Sequence, residues 1–165
     1  MADSASSALP DDGSRCPSPE DVILLRRWSS MQAALRRLTQ QTLDDIEEKT
    51  GQAGSSFQVL WYLLSAPGQV APMKQLAATL GFTTAGTTKV ADRLCDAGLI
   101  ERRPQPGDRR VTLAALTPQG RETAIAASLV LAGALRERVV GPLGPDRFSA
   151  IVDAFGAIDP LARAT

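Results

Sequence analysis

Two groups of side chains near the middle of the sequence have types and spacing suited to a polyanion. The first opens a helix-like stretch with Thr83, Thr84 and Ala85, then adds Thr88, Lys89 and Arg93. Small and hydroxylated residues at a helix start permit close approach, and the free N–H groups there suit a phosphate. Hydroxyl and ammonium groups further along bond base edges or phosphates. The second group is Arg102-Arg103 and Arg109-Arg110, which flank Pro104-Gln105-Pro106-Gly107-Asp108. Those five turn formers predict a two-stranded hairpin, with strands at 99–103 and 111–116 and a polar tip. Arginines at such a tip have the reach to enter a minor groove. Asp108 beside them can accept a guanidinium hydrogen bond and fix its direction.

Other chemistries are poorly supplied. Histidine is absent from the 165 residues, which removes the commonest general base and a leading zinc or copper ligand. No nucleophile–base pair, Gly-rich phosphate loop or metal motif appears, so the expectation is a protein that is not an enzyme and holds no metal or cofactor. Two cysteines, Cys16 and Cys95, make no disulfide framework. With no basic-then-apolar start and no apolar run of membrane-span length, the chain is expected in the cytoplasm, away from membranes. Formal net charge is zero, so any attraction to nucleic acid must come from a local basic surface.

The elements that must position these groups follow from periodicity. Hydrophobic residues make up 44% of the chain, enough to exclude disorder throughout. Residues 1–19 are rich in Ser, Asp, Ala and Pro without periodicity and predict a disordered tail. Over 20–50, Leu24, Trp28, Met31, Leu35 and Leu38, then Leu43 and Ile46, recur at helical spacing. Arg26, Arg27, Arg36 and Arg37 flank this stripe, as in a helix that packs against a second subunit. Ser55 or Ser56 is expected to cap a helix bearing Phe57, Leu60, Trp61 and Leu64, ended by Pro67-Gly68. A short helix over 72–80, opening on Pro72, and another from Thr83 or Thr84 to about 97 are joined by Leu80-Gly81-Phe82-Thr83. On the second of these, Thr87, Val90, Ala91 and Leu94 share the inward face. Thr117 and Pro118 fit the N-cap and first turn of a long helix with Ile125, Leu129, Ala132, Leu135 and Val139 on its apolar face. Gly141-Pro142-Leu143-Gly144-Pro145 interrupts it. A last helix carries Phe148, Ile151, Val152, Phe155 and Ile158.

A short helix, a tight glycine turn and a longer helix form the helix-turn-helix pattern, whose second helix enters the major groove. Taken alone, the helix from Thr83 equally suits a solvated amphipathic surface. The arginine hairpin directly after it favours DNA. The expected fold is mainly α with a small β-hairpin wing: a winged helix-turn-helix over 51–117, a dimerisation helix over 20–50 and C-terminal dimerisation helices over 118–165.

The ordered run Leu76-Ala77, Leu80-Gly81, Asp92-Arg93-Leu94, Ala97-Gly98-Leu99-Ile100-Glu101-Arg102, Asp108-Arg109-Arg110 and Leu116-Thr117-Pro118-Gln119-Gly120 resembles the MarR family of regulators. The resemblance covers about residues 22–158. It implies a homodimer, built from the first helix and the last two, that reads a pseudo-palindromic site in double-stranded DNA, by default as a repressor. It matches Arg110 to the wing arginine that enters the minor groove and Asp108 to its supporting acid. Lys89 stands where the family usually has arginine; lysine is a point charge rather than a fork, which suits a phosphate contact.

The resemblance further implies release from DNA by a small, often aromatic or phenolic, effector. Trp28, Met31, Phe57, Trp61 and Tyr62, with Arg26 or Arg27 as anion partner, are the candidate lining; ordinary core and dimer packing suits the same residues. Family members that sense peroxide carry a first-helix cysteine supported by tyrosines. Here Cys16 falls in the expected tail, Tyr62 is the only tyrosine, and Cys95 lies late in the recognition helix as a small, largely buried residue. The alternatives to an effector-released regulator are thus a thiol-based redox sensor or a dimeric winged-helix module that binds protein.

Overall fold

The computed structural model describes residues 16–159, apart from the side chain of Arg109. The expected disordered tail lies outside the described residues except for its last few positions. These are ordered at the helix start. Ser18 caps helix α1 (Pro19–Thr50), accepting the N–H of Asp21 at 3.1 Å while its hydroxyl donates to the Asp21 carboxylate at 2.7 Å.

The chain divides into two compact units, one ending at Thr39 and one beginning at Gln40. In the first, Leu24, Trp28, Met31 and Leu35 of the α1 stripe are exposed, Leu24 to 66%. Polar neighbours such as Arg26, Arg27, Arg36 and Arg37 are exposed as well.

The second unit is built around the functional segment. The end of α1 contributes Ile46, fully buried with Phe57 and Ala127, and flanked by Leu43, Val130 and Leu131. Helix α2 (Gly54–Ser65) starts before both expected caps, Ser55 and Ser56; Ala53 is at the N-cap without a side-chain bond, and Ser56 is buried inside the helix. Its core face is Phe57, Val59, Leu60 and Leu63, whereas Trp61, expected on that stripe, is 47% exposed.

After a 3-10 turn (Pro67–Gln69), strand β1 (Val70–Pro72) precedes α3 (Met73–Leu80). Pro72 is therefore the last strand residue and the N-cap of α3, not part of its first turn. Helix α4 (Thr84–Asp96) follows, then β2 (Ile100–Gln105) and β3 (Asp108–Leu116). The strands are antiparallel in the order β1-β3-β2, with Ala71 opposite Ala114 and Arg102 opposite Ala114 from the other side. The expected two-stranded hairpin is thus a three-stranded sheet. Its turn is also tighter than expected, because Pro104 and Gln105 continue β2, with a register irregularity between them.

Helix α5 (Pro118–Leu135) is N-capped by Thr117, whose hydroxyl oxygen accepts the Gly120 N–H at 2.9 Å. Its buried face is Gly120, Ala124, Ala127 and Ala134. Of the face expected from periodicity, Ile125 and Leu129 are exposed, Leu129 to 68%. The helix passes through a π turn (Arg136–Val140) into a single turn, α6 (Gly141–Leu143), before α7 (Pro145–Ile158). The interruption is narrower than the sequence suggested, because the backbone stays helical through Pro142 and breaks at Gly144 with φ 80°. On α7, Ile151, Val152, Phe155 and Ile158 are exposed. Among the described residues, no helix is long and apolar enough to cross a membrane.

One buried cluster holds the functional segment together. Leu60 and Leu63 of α2, Leu76 of α3, Val90, Ala91 and Leu94 of α4, Leu99 and Ile100 at the start of the sheet, and Ala124 of α5 all join it. Each of the leucines, Val90 and Ile100 contributes roughly 1.5–3 kcal/mol on burial, so α4 is fixed on its support by its inward face.

Candidate nucleic-acid interface

The turn between α3 and α4 rests on Gly81. It takes the left-handed conformation, φ 66° and ψ 20°, that side chains with a Cβ rarely adopt, and its N–H donates to the Ala77 carbonyl. Thr83, not Thr84, then caps α4, accepting the Gly86 N–H at 3.0 Å. Its carbonyl receives both the N–H of Thr87, at 2.9 Å, and the Thr87 hydroxyl, at 3.1 Å. The N–H groups of Thr84 and Ala85 precede the helical ladder and remain open to an acceptor.

With Thr87, Val90, Ala91 and Leu94 buried, the outward surface of α4 is Thr83, Thr84, Ala85, Thr88, Lys89, Asp92 and Arg93, every one exposed. The Thr88 hydroxyl donates to the Thr84 carbonyl at 3.0 Å, which leaves its lone pairs facing outward. Lys89 and Arg93 form no ion pair among the described residues.

At the wing, Arg110 is exposed, and its backbone N–H donates to the Asp108 carboxylate at 3.0 Å. A guanidinium was the expected donor to Asp108; the structure gives it a main-chain one. The effect is still to fix the Arg110 backbone, because a carboxylate that bonds two residues ahead closes a small ring at the tip. The side chain of Arg109 lies outside the described residues. The other two arginines are occupied: Arg103 pairs with Glu101 along its own strand, and Arg102 reaches back to α4. Arg102 Nη1 lies 2.7 Å from Asp92 Oδ1, and its Nη2 donates to the Thr88 carbonyl at 3.4 Å. No sequence pattern signals this pairing, since ten residues and a change of element separate Arg102 from Asp92.

The wing is joined to α5 as firmly. The Thr117 hydroxyl donates to the Gly98 carbonyl at 2.7 Å, and its N–H to the Leu99 carbonyl at 3.1 Å. Thr117 thus caps the helix and ties the turn after α4 to it.

The candidate effector residues divide between the two units. Arg26, Trp28 and Met31 belong to the first, where all three are exposed. Phe57, Trp61 and Tyr62 belong to the second and border a hollow of about 330 Å³ with Gln58, Ser65, Thr79 and Leu80. Phe57 is primarily a core residue, 3% exposed. Burial raises the Cys95 thiol above its ordinary pKa, with Arg102 pulling the other way, so this cysteine is a poor thiolate. Among the described residues, no group of three His, Cys, Asp or Glu is placed to hold a metal ion.

The sequence of residues 50–111 matches the family model for MarR. No curated protein matches the chain. Among solved structures, the MarR-family regulator AbsC from Streptomyces coelicolor superposes with a TM-score of 0.75 at 22% identity, over 92% of this chain and 100% of its own. Sco3205 from the same organism, solved in complex with DNA, gives 0.74 at 22% identity, over 87% and 89%. The transcriptional repressor CouR, bound to a 23-mer duplex, gives 0.63 at 29% identity, over 76% and 89%. Residues 50–111 thus match the MarR family, and the chain has the fold of MarR-family transcriptional regulators of known structure.

Proposed function

We propose that the chain binds a pseudo-palindromic operator in double-stranded DNA as a homodimer and represses the promoter it occupies. In this reading α4 lies in the major groove, where Thr83, Thr84, Ala85, Thr88, Lys89 and Arg93 meet bases and phosphates. Arg109 and Arg110 enter the adjacent minor groove, with Asp108 holding the tip. The observation that carries it is the juxtaposition of two outward cationic surfaces on one scaffold: Lys89 and Arg93 on α4, which form no ion pair among the described residues, and Arg110 on a tip fixed by Asp108. CouR and Sco3205, both bound to DNA, support the same use of the fold.

The exposed apolar residues of α5 and α7 support the dimer. Ile125, Leu129, Ile151, Val152, Phe155 and Ile158 make a surface that a lone chain would leave in water. The stripe on α1 has the same character. The hollow beside Phe57, Trp61 and Tyr62 is the proposed seat of a small aromatic or phenolic effector. Its polar neighbours are Gln58, Ser65, Thr79 and the Tyr62 hydroxyl. An effector there acts only if it favours a lobe spacing unsuited to DNA.

A mobility shift on the intergenic DNA beside the chain's own gene tests the reading. Binding that weakens steeply as salt rises is the expected result. Absence of binding at low salt to any neighbouring intergenic duplex overturns it, and sedimentation of the free protein as a monomer overturns the dimer.

A further inference from the structure

Arginines on a wing strand are the natural candidates for DNA contacts, yet Arg102 points its fork at its own protein. One nitrogen lies 2.7 Å from the Asp92 carboxylate and the other 3.4 Å from the Thr88 carbonyl. Thr88 and Asp92 are four residues apart, so a single guanidinium spans one turn of α4. Both of its partners lie on the outward face of that helix, and Arg102 itself is held in β2 opposite Ala114. The pair is open to solvent, with Arg102 36% and Asp92 51% exposed, so it contributes little to global stability. Its mechanical consequence is larger. A planar fork bonded at two points has little freedom to rotate, and it links the groove-facing side of α4 to the strand that carries the wing.

We propose that Arg102 is a positioning residue for DNA recognition: its fork on Asp92 and Thr88 locks the angle between α4 and the wing, so that both reach their grooves in one register. This rests on the DNA-binding reading above. The pair also explains an acid on the groove-facing side of α4. Asp92 alone would repel phosphate; engaged by Arg102, it serves as the anchor for the wing strand.

Asp92→Asn and Arg102→Gln, singly and together, test this on the dimeric full chain. The probes are a duplex selected by the wild-type protein from a randomised library and a random-sequence duplex of equal length, each titrated over a range of salt. Both single variants are expected to lose about tenfold in affinity for the selected duplex and little for the random one. The double variant is expected to lose no more than either single one, because both break the same link. Asp92→Asn is the discriminating variant. It removes a negative charge close to DNA, so an electrostatic role alone would tighten binding. Equal or tighter binding by Asp92→Asn overturns the proposal. So does a fall of about one in the salt slope with Arg102→Gln, which would make Arg102 a phosphate contact. A wild-type protein that selects no duplex overturns the DNA-binding reading itself, and the positioning role with it.

Discussion

Gly120 packs against the carbonyl of Leu99 so closely that a Cβ at this position would overlap the oxygen. The contact lies where the turn after α4 meets the first turn of α5, beside the bonds from Thr117 to the Gly98 and Leu99 carbonyls. A glycine in a helix ordinarily weakens it by roughly 0.5–1 kcal/mol relative to alanine. Here that rule reverses. Gly120→Ala is expected to destabilise the chain by about 2 kcal/mol or more, because neither backbone has room to move. Gly133→Ala, on the same helix with nothing within 4 Å, is expected to be neutral or stabilising. Thermal unfolding of the two variants separates them, and equal melting temperatures would show that α5 shifts freely against Leu99.

A second joint closes the far end of the same unit. Arg138, in the π turn after α5, grips Asp45 near the end of α1, with Nη1 2.7 Å from Oδ2 and Nη2 donating to Oδ1 at 3.0 Å. The hydrogen bonds it donates to the Asp45 carboxylate raise the Arg138 pKa above its ordinary value, so the arginine stays charged at every working pH. The neighbouring Asp44 is exposed and accepts a hydrogen bond from Gln40 one turn back, at 2.7 Å. Asp45→Ala is therefore expected to lower the melting temperature clearly and Asp44→Ala hardly at all. A larger drop for Asp44→Ala would assign the π turn no role in holding α1.

What the sequence made legible was local. The Gly81 turn, a threonine start of α4 at Thr83 or Thr84 and the Thr117-Pro118 start are each set by a few adjacent residues, and the structure shows all three, with Thr83 as the cap. Strand β1 escaped notice because Val70-Ala71-Pro72 is too short to show alternation and becomes a strand only by pairing with 113–115 of β3. On α5, the periodicity of large apolar residues marked Ile125 and Leu129, which are exposed, while the core took the smaller Ala124, Ala127 and Ala134. Periodicity finds an apolar stripe but does not say whether its partner is in the same chain. Trp61 misled for the same reason. Of the candidate site, the residue types on α4 and the wing were readable, whereas the engagement of Asp92 by Arg102 needed the fold.

The start of α1 supplies a pH dependence. The Ser18 hydroxyl and its N–H, at 2.7 and 3.1 Å, hold the Asp21 carboxyl below the ordinary aspartate value of 3.8. A carboxylate with a lowered folded pKa adds stability above the ordinary value and loses it as pH falls through the lowered one. The first turn of α1 is thus expected to persist to a lower pH than in Ser18→Ala. Carbon-13 titration of the Asp21 carboxyl reads this directly. The midpoint should rise toward the ordinary value in the variant, and unchanged midpoints would remove Ser18 as the cause.

At the wing, Arg110→Ala is expected to weaken operator binding by about 1–3 kcal/mol with the melting temperature and the dimer intact. The guanidinium has no ion-pair partner among the described residues, and the tip is held by the Arg110 main chain, which alanine keeps. Fluorescence anisotropy on a selected duplex measures the loss. Unchanged affinity would take the wing tip out of recognition.

Thr88 gives the sharpest test of what α4 reads. Its hydroxyl proton is committed to the Thr84 carbonyl at 3.0 Å, so toward DNA it can only accept. Phosphate oxygens are acceptors too and offer it nothing. The major-groove donors are the amino groups of adenine N6 and cytosine N4, and one of these is the expected partner. Thr88→Val keeps the shape and removes the acceptor. It should cost about 1 kcal/mol or more at one base pair, and that position should lose its preference when wild-type and variant proteins each select from a randomised library. Retained preference at every position, with affinity reduced evenly on all sequences, would instead assign the hydroxyl to the helix and not to the DNA.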